Sequence, residues 1–89
     1  MRKIRFKGVE NSSMYNIALG VIVKEGQYYN ANLTLKDKNR PFLPKAVAEI
    51  TIRSSNKRIL LGQVHDIVKL YPPEQDLDIL FYDVEELKK

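Results

Sequence analysis

The stretch Met14-Tyr15-Asn16-Ile17-Ala18-Leu19-Gly20-Val21-Ile22-Val23-Lys24, then Glu25-Gly26-Gln27, then Tyr28-Tyr29-Asn30-Ala31-Asn32-Leu33-Thr34-Leu35-Lys36, decides the fold class. Its two arms are rich in β-branched and aromatic residues and alternate with period two, and a short glycine-containing break separates them. This is the pattern of a β-hairpin. In the second arm Tyr29, Ala31, Leu33 and Leu35 take one face, and Tyr28, Asn30, Asn32, Thr34 and Lys36 take the other. In the first arm Tyr15, Ile17, Leu19, Val21 and Val23 read as core. Asn16, Ala18, Gly20, Ile22 and Lys24 then share the small outer face, of which Asn16, Ala18, Gly20 and Ile22 are expected to be covered by another element or a second copy. Gly20 is the position at which a bulge or bend is expected.

The same period extends to both sides. Lys3–Val9 reads as a strand with Lys3, Arg5 and Lys7 on one face and Ile4 and Phe6 on the other. Glu10–Ser13 reads as a turn. Asp37–Lys45 reads as a long loop stiffened by Pro41 and Pro44 and pinned to the core by Phe42 and Leu43. Ala46–Arg53 reads as a strand with Ala48, Ile50 and Ile52 inward. Ser54–Lys57 reads as a hairpin turn, and Arg58–Leu70 as a long strand interrupted by Gly62 that bends between two sheets. Tyr71–Gln75 is irregular because of Pro72 and Pro73. The last segment fits a strand at 77–82 followed by a short helical turn, and it also fits a helical stripe through Leu77, Leu80, Phe81, Val84 and Leu87. The expected fold is mostly β: a five- or six-stranded small barrel or sandwich, with or without a short C-terminal helix (α+β).

Composition limits what such a chain does. Its 89 residues suffice for one domain, 1–89, and 44% of them are hydrophobic, enough for one thin core. There is no cysteine, which excludes disulfides, thiolate nucleophiles and cysteine-based zinc sites. The basic start, Met1–Lys7, leads into no apolar run of signal-peptide length, so a cytoplasmic protein without a membrane span is expected. The net charge of +4 is uneven: residues 1–70 hold 13 Lys/Arg against 5 Asp/Glu, and residues 71–89 hold 2 Lys against 6 Asp/Glu.

Catalytic chemistry finds no constellation. His65 is the only histidine, and its neighbour Asp66 lies on the opposite face of a strand. All four serines fall in turns, and the four glycines form no phosphate loop. Asp76 and Asp78 share one strand face and could at most hold a hard cation weakly. No enzyme activity, cofactor or metal is expected. The expected function is binding. Three basic groups stand out: Lys3, Arg5 and Lys7 with Arg2; Lys36, Lys38, Arg40 and Lys45; and Arg53 with Lys57 and Arg58. Phosphate contacts need several cations, and single strands also need exposed aromatic platforms. Lys3, Arg5, Lys7, Lys38 and Arg40, with Tyr28 as the platform, are therefore the candidate contacts for RNA or single-stranded DNA. The alternative is a protein-interaction module, such as a small assembly component or inhibitor of a phage or mobile element. In that reading the first-strand cations guard a sheet edge. A homodimer is compatible with either.

The stretch Leu60-Leu61-Gly62-Gln63-Val64-His65-Asp66-Ile67-Val68 resembles a leucine–glycine–x–valine–x–aspartate segment of PRC-barrel domains. The likeness spans nine residues, does not include the two hairpins before it, and assigns no site residue.

Overall fold

A computed structural model describes residues 2–10, 12–40, 42 and 45–87. Five strands and two helices follow one another as β1 (Arg2–Phe6), β2 (Tyr15–Glu25), β3 (Tyr28–Asp37), β4 (Ala48–Ser54), α1 (Lys57–Leu70), β5 (Leu77–Asp83) and α2 (Val84–Leu87). The strands form one sheet in the order β1-β5-β2-β3-β4. The class is mostly β, α+β, as the sequence indicates. Among the described residues the sheet does not close into a barrel, and no second sheet is packed on it to make a sandwich.

The central hairpin forms where expected. Glu25 pairs with Tyr28 across the two-residue turn Gly26-Gln27. Gly26 has φ +61° and no described non-glycine residue, Gln27 included, has positive φ, so only the first central position is left-handed, as in a type II′ turn. β3 pairs with β4 antiparallel without a break in register, from Tyr29 opposite Ser54 to Leu35 opposite Ala48. β5 lies between β1 and β2, antiparallel to the first and parallel to the second. β4 and β5 therefore point the same way, and joining two such strands requires a long crossover.

That crossover is α1, and it corrects the expected strand over 58–70. Read with period 3.6, Leu60, Leu61, Val64, Ile67, Val68 and Tyr71 form one stripe. Leu60 and Val64 are fully buried, and Leu61, Ile67, Val68 and Tyr71 pack against the same core. Ser54–Lys57 is not a hairpin turn but a helix start. Asn56 caps α1, its Oδ1 accepting from the Ile59 amide at 3.1 Å. At the other end the Tyr71 amide donates to the Ile67 carbonyl at 2.9 Å, and Pro72 and Pro73 end the helix. The likeness to a PRC-barrel segment fails on the same ground, because the nine residues are helical.

The second correction concerns β2. Its register against β3 slips between Ile17 and Leu19, so Ala18 is the bulged residue, two positions before Gly20. One extra residue reverses the alternation. Ile17 points to the α1 side, but so do the even-numbered Gly20 and Ile22 beyond the bulge. Leu19, Val21 and Val23, expected in the core, turn to the opposite face. Ile22 is completely buried, as the expectation of a covered face requires, and this chain's own core covers it. Ala18 is exposed. Of the two residues expected to pin the 37–45 loop, Phe42 is 78% exposed and does not; Leu43, Pro41 and Pro44 lie outside the described residues.

The core is thus one layer between sheet and helix: Phe6, Ile17, Ile22, Ala31, Leu33, Leu35, Leu77, Ile79 and Phe81 from the strands, with Leu60 and Val64 from α1. Gly62 sits on the outer side of α1, where an added Cβ would meet nothing within 4 Å. Gly62→Ala should therefore raise the unfolding free energy by about 0.5–1 kcal/mol in urea titration, the usual helix preference for alanine. No change, or a loss, would contradict a helix at this position.

Candidate binding surface on the open sheet face

Among the described residues the face of the sheet away from α1 carries no helix layer, and the pairings give its layout. One row across the strands runs Lys3, Leu80, Val21, Asn32, Thr51. The row toward one end runs Arg5, Asp78, Leu19, Thr34, Glu49. The row toward the other end runs Tyr82, Val23, Asn30, Arg53. Val21, Val23, Leu80 and Tyr82 remain partly accessible, and Leu19 is 48% exposed. An apolar strip over β5 and β2 therefore lies beside an amide, hydroxyl and cation region over β3 and β4. Three of the apolar residues of this surface, Leu19, Val21 and Val23, are turned outward by the bulge at Ala18.

The six candidate contacts do not form one cluster. Lys3 and Arg5 lie on the open face of β1, at one edge, and Lys7 follows just beyond that strand. Tyr28 opens β3 and is 46% exposed. Lys38 and Arg40 lie past the opposite end of β3, roughly 30 Å from Tyr28 at ~3.3 Å per residue. The third basic group also divides: Arg53 is on the open face, while Lys57 reaches to the other side, its Nζ 4.6 Å from the Phe81 ring centroid.

Local partners reorder the candidates. Arg5 forms a two-pronged ion pair with Asp78, Nε to Oδ1 at 2.7 Å and Nη2 to Oδ2 at 3.1 Å. The Arg5 hydrogen bonds, more than its charge, hold the Asp78 carboxyl below its ordinary pKa, and Lys3 adds to the effect. The same hydrogen bonds raise the pKa of Arg5. Arg5 is thus already engaged with an anion, whereas Arg53 is placed for contact. Its guanidinium carbon lies 4.1 Å from the Tyr28 ring centroid, a stacked cation–aromatic pair beside Asn30 and Asn32. By sequence Arg53 belongs to the third basic group and to the outward face of the fourth strand, but not to the six candidate contacts. The cue for its role was its outward parity on the fourth strand, the side on which Tyr28 falls in the third.

At one end of this face is a cleft of about 790 Å³, whose lining includes Asn16, Leu19, Thr34, Lys36, Glu49 and Asp76. Its wall is the 73–76 loop, tied to the chain after β1. The Gly8 amide donates to Asp76 Oδ1 at 2.9 Å and the Val9 amide to the Pro73 carbonyl at 2.9 Å. A side chain at Gly8 would collide with the Gln75 backbone, so the approach needs glycine. Asp76 and Asp78, paired in the sequence reading as a weak cation site, are instead committed to Gly8 and Arg5. Among the described residues no three His, Asp or Glu side chains are grouped to hold a metal ion. His65 lies on α1, its ring edge-on to Phe6 at 4.9 Å, and Asp66 next to it does not share its side of the helix. No described helix is long and apolar enough to cross a membrane.

The chain matches no known protein family, no curated protein and no solved structure. The reading of this surface therefore rests on its own chemistry.

The Arg5–Asp78 pair gives a pH signature. Because the folded carboxyl titrates below its ordinary value of 3.8, the pair's contribution is complete above that pH. It is lost as the pH falls from 3.8 through the lower folded value. Asp78→Asn should remove this component, so urea midpoints of parent and variant should converge as the solution is acidified below 3.8. A constant gap across that range would mean the pair does not form. The pair is exposed, and added salt should shrink the gap at neutral pH.

Proposed function

We propose that this protein is a non-catalytic binding module, that the open sheet face is its working surface, and that its ligand is single-stranded RNA or DNA. The observation that carries the reading is the Tyr28–Arg53 stack next to Asn30 and Asn32. An aromatic ring with a cation on it offers a surface for a base, and amides alongside can bond base edges. Tyr82, in the row of Asn30 and Arg53, is a second ring on the same face. Lys3 and Arg53 stand at opposite edges, four strand spacings or about 19 Å apart, and can take phosphates at either side of the bases. Lys7, Lys38 and Arg40 are outlying contacts for a longer strand.

A second reading has its own support. Leu19, Val21, Val23 and Leu80 form an apolar strip of the kind a protein partner covers. The two readings respond differently to salt. Phosphate contacts each contribute about 0.7 to the log–log salt slope with single strands, whereas docking on an apolar strip is nearly salt-independent.

Binding of fluorescent oligonucleotides, followed across a salt series, is the test. Lys3→Ala should lower the slope by about 0.7 and weaken all sequences alike. Tyr28→Ala should cost about 1–3 kcal/mol of binding free energy and leave the slope unchanged. Parent protein that fails to bind oligonucleotides at low salt would remove this reading in favour of a protein partner.

A further inference from the structure

The two edges of the sheet are built differently. β1, at one edge, has five residues and carries Arg2, Lys3 and Arg5, charges that discourage another strand from pairing there. β4, at the other, has seven residues with no lysine, no proline and no bulge. It pairs with β3 on one side and with no described strand on the other, so a row of backbone amides and carbonyls faces outward. Its sequence Ala48-Glu49-Ile50-Thr51-Ile52-Arg53-Ser54 has one acid and one base, placed symmetrically about Thr51. Neither Glu49 nor Arg53 has an ion-pair partner among the described residues.

We propose that β4 pairs antiparallel with β4 of a second copy of this chain, with Thr51 on the twofold axis, to give a continuous ten-stranded sheet. The register follows from side-chain chemistry. With Thr51 opposite Thr51 of the second copy, each Glu49 faces the other copy's Arg53, and each Ile50 faces the other copy's Ile52. The charges meet on the open face and the isoleucines on the helix face. Shifting the twofold to Ile50 or Ile52 leaves both charges opposite threonine or beyond the strand. Shifting it to Glu49 or Arg53 sets like charges directly opposite each other, which is unfavourable. The Thr51 register alone makes two opposite-charge pairs and a threonine pair, all stabilising cross-strand combinations. A twofold perpendicular to the sheet also keeps both open faces on the same side, with each Arg53 still able to stack on its own Tyr28. Strand pairing alone buries less than a standard interface, so the association is weak and concentration-dependent. This inference does not rest on nucleic-acid binding.

Sedimentation velocity of the parent up to about 1 mM should show a dimer fraction that rises with concentration. Glu49→Arg alone and Arg53→Glu alone each convert both contacts to like-charge pairs. Either should raise the dissociation constant about tenfold or more. The double swap, Glu49→Arg with Arg53→Glu, should restore association to near the parent value. Crosslinking gives a second readout that does not depend on affinity. Thr51→Cys places two sulfurs at the twofold in a chain with no other cysteine, where cross-strand Cα atoms lie about 4.5–5.5 Å apart. Mild oxidation should give a covalent dimer, while Glu49→Cys, two residues off the axis on each strand, should not crosslink to itself. A parent that stays monomeric throughout, single swaps that associate like the parent, or a double swap that fails to recover would each overturn the proposal. So would equal crosslinking of the two cysteine variants.

Discussion

A five-stranded sheet has two faces, and among the described residues one helix is long enough to cover one of them. Everything else in the structure follows from that imbalance. Fourteen residues of α1, about 21 Å at the usual rise, seal the side that holds Ile22, Leu33 and Ile79, all completely buried. No described helix covers the opposite side, whose three rows of residues are partly or fully accessible. The molecule is elongated, 41 × 25 × 20 Å, and its radius of gyration of 13.4 Å exceeds the roughly 12 Å expected for a compact chain of this length. A protein built this way keeps its core on one side and has a broad accessible surface on the other.

The bulge at Ala18 decides what that surface is made of. Without it, β2 would keep one parity along its length, and Leu19, Val21 and Val23 would face α1 with Ile17. With it, they become the apolar strip of the open face, and Ile22 takes the buried place. The neighbouring strands then set the composition around the strip. β3 and β4 supply Asn30, Asn32, Thr34, Thr51 and Arg53, and β1 supplies Lys3 and Arg5. The cations lie on either side of the strip instead of gathering in one patch, and Asp78 neutralises Arg5.

Much of this was legible in the residues. β1, β3 and β4 have one apolar and one polar face, so alternation gave their sidedness directly, including the outward positions of Tyr28 and Arg53. The strand at 77–82 with a short helix after it is one of the two readings that segment allows, the other being a helical stripe through Leu77, Leu80, Phe81, Val84 and Leu87. Two features were not read, for different reasons. In β2 both parities are apolar around the bulge, with Ile17, Leu19, Val21 and Val23 on one and Ala18 and Ile22 on the other, so alternation alone does not place the core. In α1 the signal was present: the stripe Leu60, Leu61, Val64, Ile67, Val68 is helical, and an apolar content mixed on both strand faces is what a helical stripe looks like at the wrong period. Gly62 and the Ser54-Ser55-Asn56 turn residues favoured the strand reading, although asparagine before an apolar periodic run is equally a helix cap. Ion pairing could not be read at all, because the Arg5–Asp78 contact joins residues 73 positions apart.

The assignment of the two faces is open to a direct measurement. Val21 and Ile22 are adjacent, similar in size and both in the middle of β2, yet one borders solvent and the other is wholly enclosed. Equilibrium urea unfolding of Val21→Lys and Ile22→Lys separates them. Val21→Lys should fold with a loss of no more than about 1 kcal/mol, because its ammonium reaches water from the open face. Ile22→Lys should be unfolded without denaturant, since an unpaired buried charge costs several kcal/mol against a stability of about 5 kcal/mol. Equal tolerance of both substitutions, or the reverse order, would show that α1 does not cover the face assigned to it.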